Sequence, residues 1–243
     1  MQKLETKHIS KHFNGVQAVQ NLSLSFEAGK ITGIIGPNGS GKTTFINLIS
    51  GMISFDAGVV MLDGVSLHKI IPHDVATYGV TRTFQDVRLF EQMTVLDNIL
   101  LTQTERSVWG SLFERHASYH VQEAQRVLER VGLWHKKDAL ASQLSYGQRK
   151  LLEIARVLAM RVDVILLDEP FAGLFPEMVL LIETIIRELR NQGKIIVLIE
   201  HNMDIMRVLC DVLYVVDEGK LLAGGIPSEV LSRPDVMEAY LGE

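Results

Sequence analysis

The sequence predicts an α/β fold with a mainly parallel sheet, an N-terminal antiparallel β subdomain and a mainly helical insertion subdomain. A short apolar strand, Ile31 to Ile35, runs directly into a glycine-rich loop and then into a helical stretch that ends near Ser50. Two later runs, Val162 to Glu169 and Lys194 to His201, are near-continuous β-branched and leucine segments that end in polar residues. Such runs are the signature of parallel strands buried on both faces. A helical pattern from Met178 to Arg190 joins them, as a right-handed crossover requires.

The remaining elements follow in chain order. Leu22, Leu24 and Phe26 alternate with Ser23, Ser25 and Glu27, so this segment reads as a half-buried antiparallel strand, closed by a turn at Ala28-Gly29-Lys30. From about Asp86 to Gln143 no strand pattern occurs, while Val121, Ala124, Val127, Leu128 and Val131 recur at helical spacing. Val212 to Val216 and Lys220 to Ala223 read as a hairpin turning at Asp217-Glu218-Gly219, and a short helical tail follows. This places residues 1–85 and 162–243 in one α/β core and residues 86–161 in the helical insertion, all within a single domain.

Composition excludes several classes. With 243 residues, 47% apolar and 22% charged, the chain is neither a disulfide-built miniprotein nor a disordered one. A net charge of −5 without blocks of like charge argues against nucleic acid as a partner. No apolar run approaches the roughly 18 residues that cross a bilayer. The N-terminus, Met1 to Lys7, is of mixed charge and has no signal-peptide core after it, so a cytoplasmic location is expected. The single Cys210 has no internal partner.

Gly36-Pro37-Asn38-Gly39-Ser40-Gly41-Lys42-Thr43 satisfies G-x-x-x-x-G-K-[ST] in the context that gives the pattern its meaning, after a strand and before a helix. Its backbone N–H groups can curl around phosphates, Lys42 supplies charge to the β and γ phosphates, and Thr43 offers a hydroxyl to Mg²⁺. Thr44 lies in the same first turn. The expected fold is therefore a P-loop NTPase core. Asp168, at the end of its apolar strand, is the expected Mg²⁺ carboxylate, and Glu169 the general base that polarises the attacking water. Two adjacent carboxylates at a buried strand end are costly without a nearby cation. Leu144-Ser145-Tyr146-Gly147-Gln148 opens a helix whose Leu151, Ile154, Ala155 and Leu158 share a face, and Ser145 and Gln148 stand at capping-box spacing. By itself that spacing describes a helix start.

Taken together, these motifs resemble the ATP-binding subunits of ABC (ATP-binding cassette) transporters, whose signature is L-S-G-G-Q, over essentially the whole chain. The resemblance implies that Phe13 stacks on adenine with Val19 beside it, and that Gln85 reaches the metal and the attacking water. It also implies that Ser145 and Gly147 bind the γ-phosphate of a nucleotide held by a facing subunit, and that His201 contacts the γ-phosphate. Read from the residues alone, Phe13 is a core side chain and His201 a satisfied strand-end histidine. Tyr146 in place of the first signature glycine, Gly79-Val80-Thr81-Arg82-Thr83-Phe84-Gln85 and Ile199-Glu200-His201-Asn202-Met203 are similar to the cassettes of branched-chain amino acid importers. Related urea and amide cassettes share these features.

The resemblance implies ATP and Mg²⁺ as cofactors and a second cassette, identical or paralogous, that sandwiches two nucleotides. It also implies transmembrane permease subunits, a solute-binding protein acting through them, and a peripheral position on the inner face of the cell membrane. Arg88-Leu89-Phe90 is the expected contact with the permease. One position departs from the family: after Glu169-Pro170, Phe171-Ala172-Gly173-Leu174-Phe175-Pro176 puts Phe175 where the family has Asp or, in this subfamily, Asn. Phe175 cannot make polar contacts across a dimer, so weaker or asymmetric coupling is expected. His116 and His120, at helical spacing, lack a third ligand, and Leu100-Leu101 and Trp109 to Phe113 read as either core or partner-facing. Two rival readings are a soluble cassette acting on nucleic acid or ribosomes, and a nucleotide-gated binding module with little turnover. A GTPase would carry an N-K-x-D motif, which is absent.

Overall fold

The computed structural model describes residues 1–71, 75, 77–83, 87–103, 117–160 and 162–241. The chain divides into two compact units: Met1–Arg82 with Val162–Glu169 and Glu183–Glu243, and Thr83–Arg161 with Pro170–Ile182.

The first unit holds two sheets. Strands β1 (Lys3–Phe13), β2 (Val16–Leu22), β3 (Ser25–Glu27), β5 (Ala57–Leu62) and β6 (Val65–Leu67) form an antiparallel sheet in which β1 pairs with β2, β3 and β5. The second sheet has the order β11-β10-β4-β9-β8-β7, with β4 (Lys30–Ile35), β7 (Val80–Arg82), β8 (Val164–Asp168), β9 (Ile195–Ile199), β10 (Val212–Asp217) and β11 (Lys220–Gly225). Every pairing from β10 to β7 is parallel, and β11 closes the edge as an antiparallel hairpin with β10. All residues of β8 and β9 are buried, as the unbroken apolar runs require. Helix α1 (Lys42–Ile49) follows β4 and buries Phe45, Ile46, Leu48 and Ile49 in the same core as Phe26, Ile34 and Leu166.

The 22–27 alternation forms two strands instead of one, because Asn21 takes φ +52° and Leu24 turns to exchange hydrogen bonds with Thr6. Its burial phase nevertheless holds, with Leu22, Leu24 and Phe26 inside. β1, the longest strand, was not legible as a strand. Its buried positions run Leu4, Thr6, then Ile9, since His8 at φ +54° and a register shift between Lys7 and Ser10 break the period of two.

In the second unit, α2 (Val95–Gln103), α3 (Ala117–Arg130) and α4 (Tyr146–Ala159) supply the helical insertion. Ala124, Val127, Leu128 and Val131 are buried, whereas Val121, at the same spacing, is exposed. The first half of α5 (Pro176–Asn191) also belongs to this unit, so Pro170–Ile182, kept with the α/β core in the sequence reading, clusters with the helices. The reason is local packing: Met178 and Leu174 lie against Gly147, and the Tyr146 ring lies against Gly173. The tail contains α6 (Met203–Leu209), α7 (Pro227–Val230) and α8 (Pro234–Leu241).

Candidate functional site

The phosphate loop occupies the turn between β4 and α1. Pro37, Asn38 and Gly39 reach the surface or near it, Gly36 and Ser40 are buried, and Thr43 and Thr44 open the helix with Thr43 exposed. Gly41 caps the helix at φ +102°, and a Cβ there would stand 2.3 Å from the carbonyl oxygen of Ala18. Only glycine meets both constraints. With no acidic residue in its first turn, α1 presents bare N–H groups and the positive end of its dipole at this loop.

Lys42 Nζ donates to the carbonyl oxygens of Gly36 and Pro37, each at 2.8 Å, and lies 3.4 Å from Ser40 Oγ. Burial lowers its affinity for the proton, and the carboxylates of Glu169 and Asp168 act in the opposite sense. Both carboxylates come from the end of β8, which the sheet order places next but one to β4, with β9 between them.

Asp168 is buried at the end of β8, and its Oδ2 accepts from Arg82 Nη2 at 3.0 Å. Arg82 Nη1 also donates to Asn47 of α1 and to Ser50 Oγ. Sequence reasoning missed Arg82. A signal existed: an arginine inside a strand needs an acidic partner when the strand is buried.

Glu169 takes φ +48°, a left-handed conformation uncommon for a side chain of its size. Its backbone N–H donates to Ile199 O, so the turn out of β8 is tied to the end of β9. Glu169 Oε1 then lies 3.1 Å from Nε2 of His201, two residues past the end of β9. Asn202 holds this corner by accepting from the N–H groups of Asp204 and Ile205. Glu169 and His201, read separately from the sequence, are thus in direct contact. An ionised Glu169 accepts this bond when Nε2 carries the proton.

Phe13 stands at the end of β1 and is 43% exposed, so its ring is available to a ligand. Val19 is not. It is fully buried in the core of the first unit, and the β1–β2 register places Val16 opposite Phe13 and Val19 opposite Lys11. The expectation that Val19 packs beside a base is therefore corrected to a core role. Gln85 and Phe84 lie outside the described residues, as do His116 and Trp109 to Phe113.

Within the second unit, Ser145 caps α4 and forms a reciprocal capping box with Gln148, as the spacing predicts. The Gln148 side-chain Oε1 also accepts from Lys136 Nζ at 3.1 Å. Gly147 leaves room for Met178, whose Sδ would be 2.6 Å from a Cβ at that position. Tyr146 is exposed and Phe175 still more so. Phe90, expected to meet a permease, is half exposed with the Arg156 guanidinium 5.4 Å from its ring centre. Fully buried Asn98 bonds both the N–H and the carbonyl of Phe90 and so sets this loop.

The set of possible metal donors is a threonine hydroxyl, a buried carboxylate and, outside the described residues, a glutamine amide. These are hard oxygen donors of the kind magnesium takes. Among the described residues no cluster of three acidic, histidine or cysteine side chains occurs. Magnesium beside phosphates needs none, since it uses one or two carboxylates, phosphate oxygens and water.

A buried parallel sheet, a G-x-x-x-x-G-K-T loop opening a helix and an acidic pair ending the strand next but one define a P-loop NTPase. Residues 19–172 match the family model described as ABC transporter, and the chain belongs to that family. It is 39% identical to the high-affinity branched-chain amino acid transport ATP-binding protein LivG of Salmonella typhimurium, over 99% of this chain and 98% of the relative. It is 38% identical to the probable branched-chain amino acid transport ATP-binding protein LivG of Archaeoglobus fulgidus, over 100% of this chain and 96% of the relative. Among solved structures, the ADP conformation of an ATP-binding cassette of an ABC transporter superposes with a TM-score of 0.87 at 38% identity, covering 100% of both chains.

Proposed function

We propose that this chain is the ATP-binding and hydrolysing subunit of an ABC importer for branched-chain or related amino acids. The observation that carries the hydrolytic reading is the convergence of Lys42, Asp168, Glu169 and His201 from the ends of three adjacent parallel strands. The carboxyl ends of strands are where open α/β sheets bind ligands.

In this reading the loop N–H groups from Gly36 to Thr43 bind the phosphates and Lys42 turns its ammonium from the Gly36 and Pro37 carbonyls to the β and γ oxygens. Phe13 stacks on the base. Thr43, Asp168 and Gln85 would hold Mg²⁺, which when bound would neutralise phosphate charge. Glu169 takes the proton of the attacking water, and His201 holds that carboxylate in place and reaches the γ-phosphate. Ser145 and Gly147 receive the γ-phosphate of the nucleotide bound by a second cassette.

No helix among the described residues is long and apolar enough to cross a membrane. In this reading transport falls to separate permease subunits, with the cassette docked at the inner face of the cell membrane through the Phe90 region. Reconstitution of the chain with its permeases and second cassette in vesicles tests this reading. Solute-dependent ATPase activity and leucine uptake that fail together in Glu169→Gln support it. Turnover of the chain indifferent to permeases, or uptake of urea without uptake of leucine, overturns the coupling or the substrate assignment respectively.

A further inference from the structure

The end of β1 carries an ion pair that the phosphate site does not use. Lys11 Nζ lies 5.4 Å from the centre of the Phe13 ring, over its face. The ammonium is held there by Asp56 Oδ1 at 2.7 Å, and the Lys11 side chain is only 14% exposed. The other Asp56 oxygen accepts from the backbone N–H of His12 at 2.8 Å and lies 3.5 Å from His12 Nδ1. Asp56 N–H in turn donates to Ser10 O. Asp56 thus fastens both the lysine and the strand end that carries the aromatic ring.

We propose that Lys11, anchored by Asp56, is a positioning residue for the nucleobase: it covers one face of Phe13 with a cation and leaves the other face for a purine. This rests on the reading that Phe13 stacks on the base. A cation over one face of an arene is attracted by the ring quadrupole and draws π density toward itself. The opposite face becomes poorer in electrons and stacks more strongly on an electron-rich purine. Anchoring also restrains the ring before the ligand arrives, which lowers the ordering cost of binding. Because Lys11 and Asp56 form a neutral pair, the effect belongs to the base and not to the triphosphate.

The test measures KM and kcat for ATP and the inhibition constant of inorganic tripolyphosphate, which has no base, in four variants of the full chain. Lys11→Met is expected to raise KM for ATP about three- to tenfold, with kcat within about twofold and tripolyphosphate inhibition unchanged. Lys11→Arg should restore KM, and Asp56→Asn, which frees the lysine without removing it, should raise KM in the same direction. Phe13→Ala should raise KM at least as much as Lys11→Met. If Phe13→Ala raises KM and both Lys11→Met and Asp56→Asn leave it unchanged, the role of Lys11 is overturned while base stacking stands. If Phe13→Ala changes nothing, base stacking falls and this inference with it. Equal losses for ATP and tripolyphosphate in Lys11→Met would also overturn the proposal, since the lysine would then serve the phosphates or the fold.

Discussion

The guanidinium of Arg82 lies 3.0 Å from the carboxylate of Asp168, and the two side chains are only 6% and 2% exposed. Neither charge can be left alone at that depth. Removing one partner of a buried pair strands the other and costs about 3–5 kcal/mol. Arg82→Met should therefore lower the unfolding free energy by about that amount in urea titration. Arg82→Lys, which keeps the charge but loses the fork that also reaches Asn47 and Ser50, should lose less.

The contact between Glu169 and His201 leads to a prediction on rate. Glu169→Gln keeps the shape of the side chain but cannot take a proton from water. Turnover should fall about 10²- to 10⁴-fold with nucleotide affinity unchanged, measured by phosphate release and equilibrium binding. His201→Ala should also slow turnover, by removing the side chain in contact with Glu169.

Lys42→Met should act on binding. Burial already disfavours the charged ammonium, which is stabilised by carbonyl oxygens and the two nearby carboxylates. The phosphates would give it a full counter-charge. Losing a charge-assisted hydrogen bond worth about 1.5–3 kcal/mol should weaken ATP binding about ten- to hundredfold in calorimetric titration.

Cys210 provides a pH dependence. Burial, with the nearby Asp211 charge, pushes its thiol up from an ordinary 9.0 to about 12. The folded state thus holds a proton that the unfolded chain releases sooner. The stabilisation from this thiol is complete below pH 9 and is lost as pH rises towards 12. Urea midpoints should fall over that window in the native chain and fall less in Cys210→Ala. At pH 8, maleimide should label the native chain slowly and the urea-unfolded chain quickly.

Phe175 is 70% exposed, so Phe175→Asn should change stability by no more than about 0.5 kcal/mol. Its expected effect is on coupling between paired cassettes, where a polar side chain restores contacts that phenylalanine cannot make. Cooperativity in the dependence of ATPase rate on ATP should rise in the variant. A Hill coefficient and rate equal to those of the native chain would refute weakened coupling.

What the sequence determined by itself is local. The phosphate loop, the capping box of Ser145 and Gln148, and the unbroken apolar strands Val164–Asp168 and Ile195–Ile199 each lie within a few residues, where spacing alone sets conformation. The departure at Phe175 was equally visible. The bulged β1 was not, because its register shift at His8 erased the alternation that marks a strand. Nor was the role of Val19, which the pairing of β1 with β2 turned into the core.

Only the tertiary structure decided which charges meet. Arg82 and Asp168 are 86 residues apart in sequence, Glu169 and His201 are 32 apart, and Lys11 and Asp56 are 45 apart. Strand order brings the first two pairs together, with β7 beside β8 and β8 beside β9, and the β1–β5 register brings the third. Sheet order arises from burying apolar faces across the whole unit, so no window of sequence contains it. The motifs therefore specified the chemistry, and long-range packing specified the partners that hold each charged group in place.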